Sequence, residues 1–291
     1  MIYSLENSIL KITASTHGGE LHSLVKKEDE TQYLWNGDPK YWKYHAPILF
    51  PIIGKVMDSK YKVDGKTYEL PAHGLGRVSE FEVLDKGNDF ITFELKYSEN
   101  SLKIYPYKFS LRITYTLREN IVNVTYCVLN LDNKEIYFSV GAHPAFMCPI
   151  DKNDSLQDCY LEFNESETIG VNGVNKDTYL LRKKQELLNN ENRISLSKEL
   201  FKNGLLMFEG LKSSKVSIKS KKDSKSLSVE FDEFPYLCLW APSSGAPFLC
   251  IEPWFGHPEY EDFEGEFKDR EGTVSLGSGK KFSCNYKISI Q

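Results

Sequence analysis

Phe109-Ser110-Leu111-Arg112-Ile113-Thr114-Tyr115-Thr116-Leu117 alternates apolar and polar residues without interruption over nine positions. A period of two is the signature of a half-buried β-strand, because successive side chains point to opposite faces. The pattern recurs on both sides. Ile91, Phe93, Leu95 and Tyr97 alternate with Thr92, Glu94 and Lys96, and Val122, Val124, Tyr126 and Val128 alternate with Asn123, Thr125 and Cys127. Turn-forming residues separate such runs at Asp64-Gly65, Lys86–Asp89, Arg118–Asn120, Asp132-Asn133 and Gly277–Gly279. Short strands joined by tight turns predict an all-β fold, a large and mostly antiparallel β-sandwich.

Helical signals are few. Asp38-Pro39-Lys40-Tyr41-Trp42 reads as an N-cap followed by proline and one or two turns. Ser197–Phe201, closed by Asn203-Gly204, reads as a second short helix. The polar stretch from Glu162 to Asn192 reads as loops with one or two edge strands, and Lys219–Lys225 as a solvated hairpin tip. With no Gly- or Pro-rich linker, residues 1–291 are expected to form one β-sandwich domain.

Composition narrows the function. Hydrophobic residues at 41% suffice for a core, and a net charge of −5 argues against a nucleic-acid surface. No apolar run approaches the ~20 residues of a membrane span. The start lacks a basic segment followed by an apolar one, and the six cysteines form no C-x-x-C pair. These features predict a cytoplasmic protein with reduced thiols and no membrane or nucleic-acid partner.

Four places offer chemistry. His143 follows the strand-like run Glu135–Val140, on the face opposite Ile136, Phe138 and Val140, between Gly141 and Pro144. Pro144 cannot donate to a ladder, so regular pairing should stop there. His73 and Arg77 lie on a glycine-bracketed loop, His73-Gly74-Leu75-Gly76-Arg77. Glu252 ends a run in which Leu249 and Ile251 face one way and Phe248, Cys250 and Glu252 the other. A carboxylate set among Phe, Cys and Trp is costly to bury without a partner or a task. Asp232 follows Leu227–Phe231, where it either reaches the same polar face or serves a turn before Pro235. A histidine and a glutamate facing across a polar cleft make a proton donor–acceptor pair. Trp240, Trp254 and Phe255 would give a polar ring surfaces to stack on.

Together, His73–Arg77, Gly141–Phe146 and Cys250–Gly256 resemble the three signature segments of the aldose 1-epimerase (galactose mutarotase-like) family, most like its LacX-type branch. Ala46–Gly54 and Phe234–Trp240 add to the likeness, which runs from about Ile9 to Ile290. The resemblance implies the family's supersandwich with an open concave sugar face, and a mechanism without metal or other cofactor. It implies Glu252 as the base that takes the anomeric hydroxyl's proton and His143 as the acid that protonates the ring oxygen. His73 would hold the sugar near that oxygen, with Asp232 as a hydroxyl binder. Relatives commonly carry arginine where this chain has Lys55, which keeps the charge but loses the fork geometry. Arg77 resembles an arginine that reads phosphate in the hexose-6-phosphate 1-epimerase branch. The implied partner is a hexose or hexose phosphate, bound by a monomer or homodimer.

Other chemistries fit less well. A non-catalytic sugar binder has no need of the acid–base pair. A metal site from His73, His143 and Glu252 lacks the usual H-x-D/E spacing. A two-carboxylate glycosidase lacks an evident second carboxylate beyond Asp232.

Overall fold

The structure is a computed structural model and describes residues 1–202 and 204–291. Strand accounts for about 51% of the chain and helix for 7%, so the class is all-β. The alternating run forms the strand Phe109–Arg118, with Phe109, Leu111, Ile113, Tyr115 and Leu117 all buried. It lies between Phe90–Lys96 and Ile121–Asn130, where Ile113 faces Phe93 on one side and Tyr126 on the other. Apolar residues therefore align in rows across the sheet, which fixes the register: a slip by one residue would turn every row outward. Asp64 and Gly65 both take left-handed φ, 50° and 75°, as a two-residue hairpin turn requires.

These strands belong to a 15-stranded antiparallel sheet whose path ends at Ile48–Leu49 on one side and Glu82–Lys86 on the other. A second sheet of four strands, Ile2–Glu6, Leu10–Ser15, Leu21–Lys26 and Thr31–Gln32, covers part of it. Leu5, Leu10, Ile12 and Leu24 from the small sheet share one core with Phe93, Tyr115 and Val122 from the large one. The Tyr115 hydroxyl donates to the Gly19 carbonyl at 2.7 Å and ties the layers together. The molecule is thus an antiparallel β-sandwich. Among the described residues, no helix is long and apolar enough to cross a membrane.

Several local readings change. The stretch Glu162–Asn192 is not mainly loop; it lies within two 16-residue strands, Cys159–Val174 and Leu180–Ser195, that pair with each other. The pairing has four register irregularities, and the outer strand is mostly exposed, so no apolar alternation marks it. Asp38–Trp42 makes a single hydrogen-bonded turn rather than a helix: Lys40 N–H donates to Asp38 Oδ1, and Tyr41 and Trp42 N–H to its carbonyl. Ser197 caps a 3₁₀ turn at Lys198–Phe201, and Gly204 is left-handed as expected; Asn203 lies outside the described residues. The strand expected over Glu135–Val140 breaks at Ser139 into Ile136–Phe138 and Val140–Ala142.

Candidate active site

Pairing stops at Pro144, and this interruption builds the site. Val140–Ala142 and Ala145–Met147 both pair with the same strand, Phe248–Phe255. Gly141 faces Trp254 and Ala145 faces Cys250, so one register continued across the gap sets His143 opposite Glu252. On the other side of Glu252, Tyr236–Trp240 places Cys238 directly opposite. His143, Glu252 and Cys238 therefore form one row across the sheet, on the face away from Leu249 and Ile251, which belong to the main core.

The His143 Nε2 to Glu252 Oε2 distance is 3.3 Å. The approach is close but off-axis, because Glu252 Oε2 meets no hydrogen-bond donor in alignment. Both side chains are buried. Burial drives each toward its neutral form: the Glu252 carboxyl is pushed well above the ordinary range, opposed by donors on Trp254 and Cys238. The imidazole of His143 is pushed down to about 3 by desolvation, with the nearby Arg77 charge acting the same way. The thiols of Cys238, in the row, and Cys250, beside it, are pushed up as well, so the cluster holds protons rather than charges. His143 Nε2, Cys250 Sγ and Glu252 lie close enough to hold a metal ion. Such an ion would have to displace the protons of both the carboxyl and the thiol.

Around the pair stands an aromatic frame. Trp42 stacks on the His143 ring at 4.9 Å, while Trp240 and His73 meet it edge-on at 5.6 and 5.5 Å. Trp254 fills the space Gly141 leaves and donates Nε1–H to the Ala142 carbonyl at 3.2 Å. A Cβ on Gly141 would sit 2.5 Å from Trp254 Cδ1. Gly141→Ala is therefore expected to lower stability by about 1–3 kcal/mol through overpacking. Denaturant titration checks this, and an unchanged midpoint would show that Trp254 yields freely.

His73 is held in left-handed backbone, φ 63°. Its N–H donates to the Gly54 carbonyl at 2.6 Å and its Nδ1 accepts from the Gly54 N–H at 3.2 Å. With Nδ1 accepting, the neutral ring carries its proton on Nε2. Desolvation, with the charges of Arg77 and Lys55, keeps the ring neutral. The next residue, Gly74, is also left-handed, and any Cβ there would collide with the Phe50 carbonyl. Arg77 lies over the Tyr44 ring, its Cζ 4.9 Å from the centroid, and its buried Nε has no partner.

The cleft measures ≈ 260 Å³ and is lined in part by His143, Glu252, His73, Arg77, Lys55 and Trp254. That is below the ~300–1,000 Å³ of pockets for drug-sized ligands and suits one small ring. The exception is Asp232: it sits exposed in the turn where Phe234 N–H donates to the Phe231 carbonyl, outside the cleft lining. It sits in the turn that leads through Glu233 and Phe234 to Pro235. Sequence reasoning missed Trp42, Tyr44, Thr178 and Cys238. Trp42 and Tyr44 belong to a connection with no period, and Thr178 to the unread hairpin. The period-two pattern of Tyr236–Trp240 contains Cys238 and offered the one usable signal.

A carboxyl and an imidazole 3.3 Å apart floor a cleft on a broad antiparallel sheet, an arrangement chemically able to pass a proton, on a mutarotase-type β-sandwich. The comparisons give the family. The aldose 1-epimerase family model matches residues 1–275, and the chain belongs to that family. It is 35% identical to the chromosomal protein LacX of Lactococcus lactis subsp. lactis over 264 residues, 88% of each chain. It superposes on a galactose mutarotase related enzyme from Lactobacillus acidophilus with TM-score 0.95 at 32% identity, covering 100% of this chain and 97% of the other. A galactose mutarotase-like protein from Lactobacillus casei gives TM-score 0.93 at 30% identity, with both chains covered completely.

Proposed function

We propose that the protein is an aldose 1-epimerase that interconverts the α and β anomers of a hexose by opening and reclosing the ring. The observation that carries this reading is the 3.3 Å approach of His143 Nε2 to Glu252 Oε2 in a cleft the size of one ring. The two oxygens that exchange protons in mutarotation, O1 and O5, sit on the same carbon, so their partners must be neighbours. In ring opening, Glu252 takes the proton of the O1 hydroxyl, His143 delivers its Nε2 proton to O5, and the C1–O5 bond breaks. The aldehyde rotates about C1–C2. Closure on the other face returns both protons.

The proton count closes. Before opening, the pair is carboxylate and imidazolium; after opening, it is carboxylic acid and neutral imidazole. Both states hold one proton between the two residues. The second is the state burial favours in the empty cleft; the hydroxyls of an entering sugar lower the cost of the first. His73 offers an Nε2–H donor, and Lys55 and Arg77 offer donors for peripheral oxygens. NMR exchange between α- and β-glucose tests the reading. Exchange at the uncatalysed rate, with binding intact, would instead identify a sugar-binding protein.

A second reading, a hexose-6-phosphate 1-epimerase, is favoured by the buried, unpartnered Arg77 Nε beside Lys55. Rates on glucose, galactose and their 6-phosphates separate the two.

Activity should require one shared proton. A second proton enters His143 only near pH 3, since that imidazole is depressed to about 3. The pair loses its proton only well above the usual carboxylate range. The rate is therefore expected to stay flat through pH 4.5, where an ordinary glutamate would titrate. A half-maximal rate near pH 4.5 would contradict the paired assignment.

A further inference from the structure

A second cluster of ligating side chains lies outside the cleft. Glu20 is buried, and its Oε1 accepts from the backbone N–H groups of His45 at 2.6 Å and Ala46 at 2.8 Å. Those two bonds fix the carboxylate and leave Oε2 facing His22 Nε2 at 3.6 Å. His45 Nδ1 is 3.8 Å from Oε1, buried and without a hydrogen-bond partner. The rings of His22 and His45 are stacked, centroids 4.2 Å apart and planes 17° from parallel. One donor atom from each of the three residues lies within 4.8 Å of the others.

The His45 tautomer suits a ligand. The Nε2 edge of its ring packs against the Asn36-Gly37 backbone; a Cβ on Gly37 would meet Nε2 at 2.6 Å. The Asn36 backbone beside this edge favours a proton on the ring. With the proton on Nε2, the lone pair of Nδ1 points to the carboxylate. A ligating histidine characteristically donates its other N–H to a backbone carbonyl, and the carboxylate is in turn hydrogen-bonded. Desolvation and the neighbouring His22 hold His45 neutral, the form that binds a metal.

We propose that Glu20, His22 and His45 form a binding site for a zinc-class divalent transition-metal ion. Two imidazoles and one carboxylate select such an ion over magnesium or calcium, which prefer all-oxygen shells. Tetrahedral zinc, with bonds of ~2.0–2.1 Å, sets its ligand atoms about 3.3 Å apart. Closing the present separations to that value requires the stacked rings to fan apart. His22 is free to swing because its side chain is 24% exposed, and the same open side admits water as the fourth ligand. The ion would join the strand Leu21–Lys26 to the segment carrying Trp42 and Tyr44, which stand against His143 and Arg77. It would act as a clasp on the cleft wall, apart from the reacting pair.

The test is calorimetric titration of the intact metal-free protein with Zn(II) alone, paired with melting curves. One equivalent is expected to bind with micromolar or tighter affinity and to raise the melting temperature, while Mg(II) does neither. His22→Gln and His45→Gln should each weaken binding about 100-fold, and His143→Asn should leave it unchanged. Absence of saturable one-to-one binding, or undiminished binding in His22→Gln, overturns the proposal. Loss of binding in His143→Asn does so too, since it moves the ion to His143, Cys250 and Glu252. Should His45→Gln fail to fold, the more exposed His22 position carries the test.

Discussion

Glu252→Gln is expected to abolish anomer exchange and to make the protein more stable at neutral pH. Both effects have one cause. The carboxyl lies in a row with His143 and Cys238 and is buried to 1% exposure. Glutamine keeps the shape of the side chain, but it cannot take a proton. A placed acid or base typically contributes ~10²–10⁴-fold, and a loss of that size in the α/β-glucose exchange rate is expected. Stability moves the other way. The folded carboxyl titrates well above 4.5, whereas in the unfolded chain it ionises near 4.5. Between those two values the native state binds the extra proton, so wild-type stability is fully present below pH 4.5 and falls as pH rises through the window. Glutamine has no such slope. The melting-temperature advantage of Glu252→Gln should therefore be small at pH 4 and grow as the pH rises above 4.5, at roughly 2–4 °C per kcal/mol for domains of 150–250 residues. Wild-type exchange rates in this variant would remove Glu252 from the chemistry. A pH-independent stability difference would remove the buried, proton-holding carboxyl.

What the sequence displayed and what it hid follow from how burial writes itself into residue choice. Phe109–Leu117 was legible because one face of that strand meets the core and the other meets water, so the pattern is binary. Leu180–Ser195 hid itself because most of it is wet on both faces, and a strand without an apolar face has no period to show. The pairing of His143 with Glu252 was half legible. Gly141-Ala142-His143-Pro144 and the carboxylate among aromatics each announced a special position. Their meeting depended on the register between two strands more than 100 residues apart, which only the family resemblance suggested. The Trp42 wall and the Tyr44 ring under Arg77 were not legible. A connection held by one Asp38 turn and by backbone bonds to Glu20 carries no hydropathy pattern. Asp232 was the opposite case: the residue type fitted a sugar site, and the local turn decided its place.

His143→Asn tests whether the two residues act as one device. Asparagine retains a polar side chain beneath Trp42 but supplies no proton at any working pH. Alone it should cost ~10²–10⁴-fold in exchange rate, as loss of the carboxyl does. The informative measurement is the double variant with Glu252→Gln. If the pair passes one shared proton, removing either member leaves the other without a source or sink. The double variant should then be no slower than the worse single one, as holds for residues that act as a unit. Multiplying losses would mean that each residue acts on the sugar independently, and the single-proton scheme would fall. A stability signature accompanies the kinetic one. The folded His143 titrates near 3 and the unfolded one near 6.5, so between those values the unfolded chain binds the extra proton. Wild-type stability must decline as pH drops through that interval, and His143→Asn should decline less. That difference belongs to an imidazole buried without charge beside its carboxyl partner, the condition under which the pair can hold one shared proton.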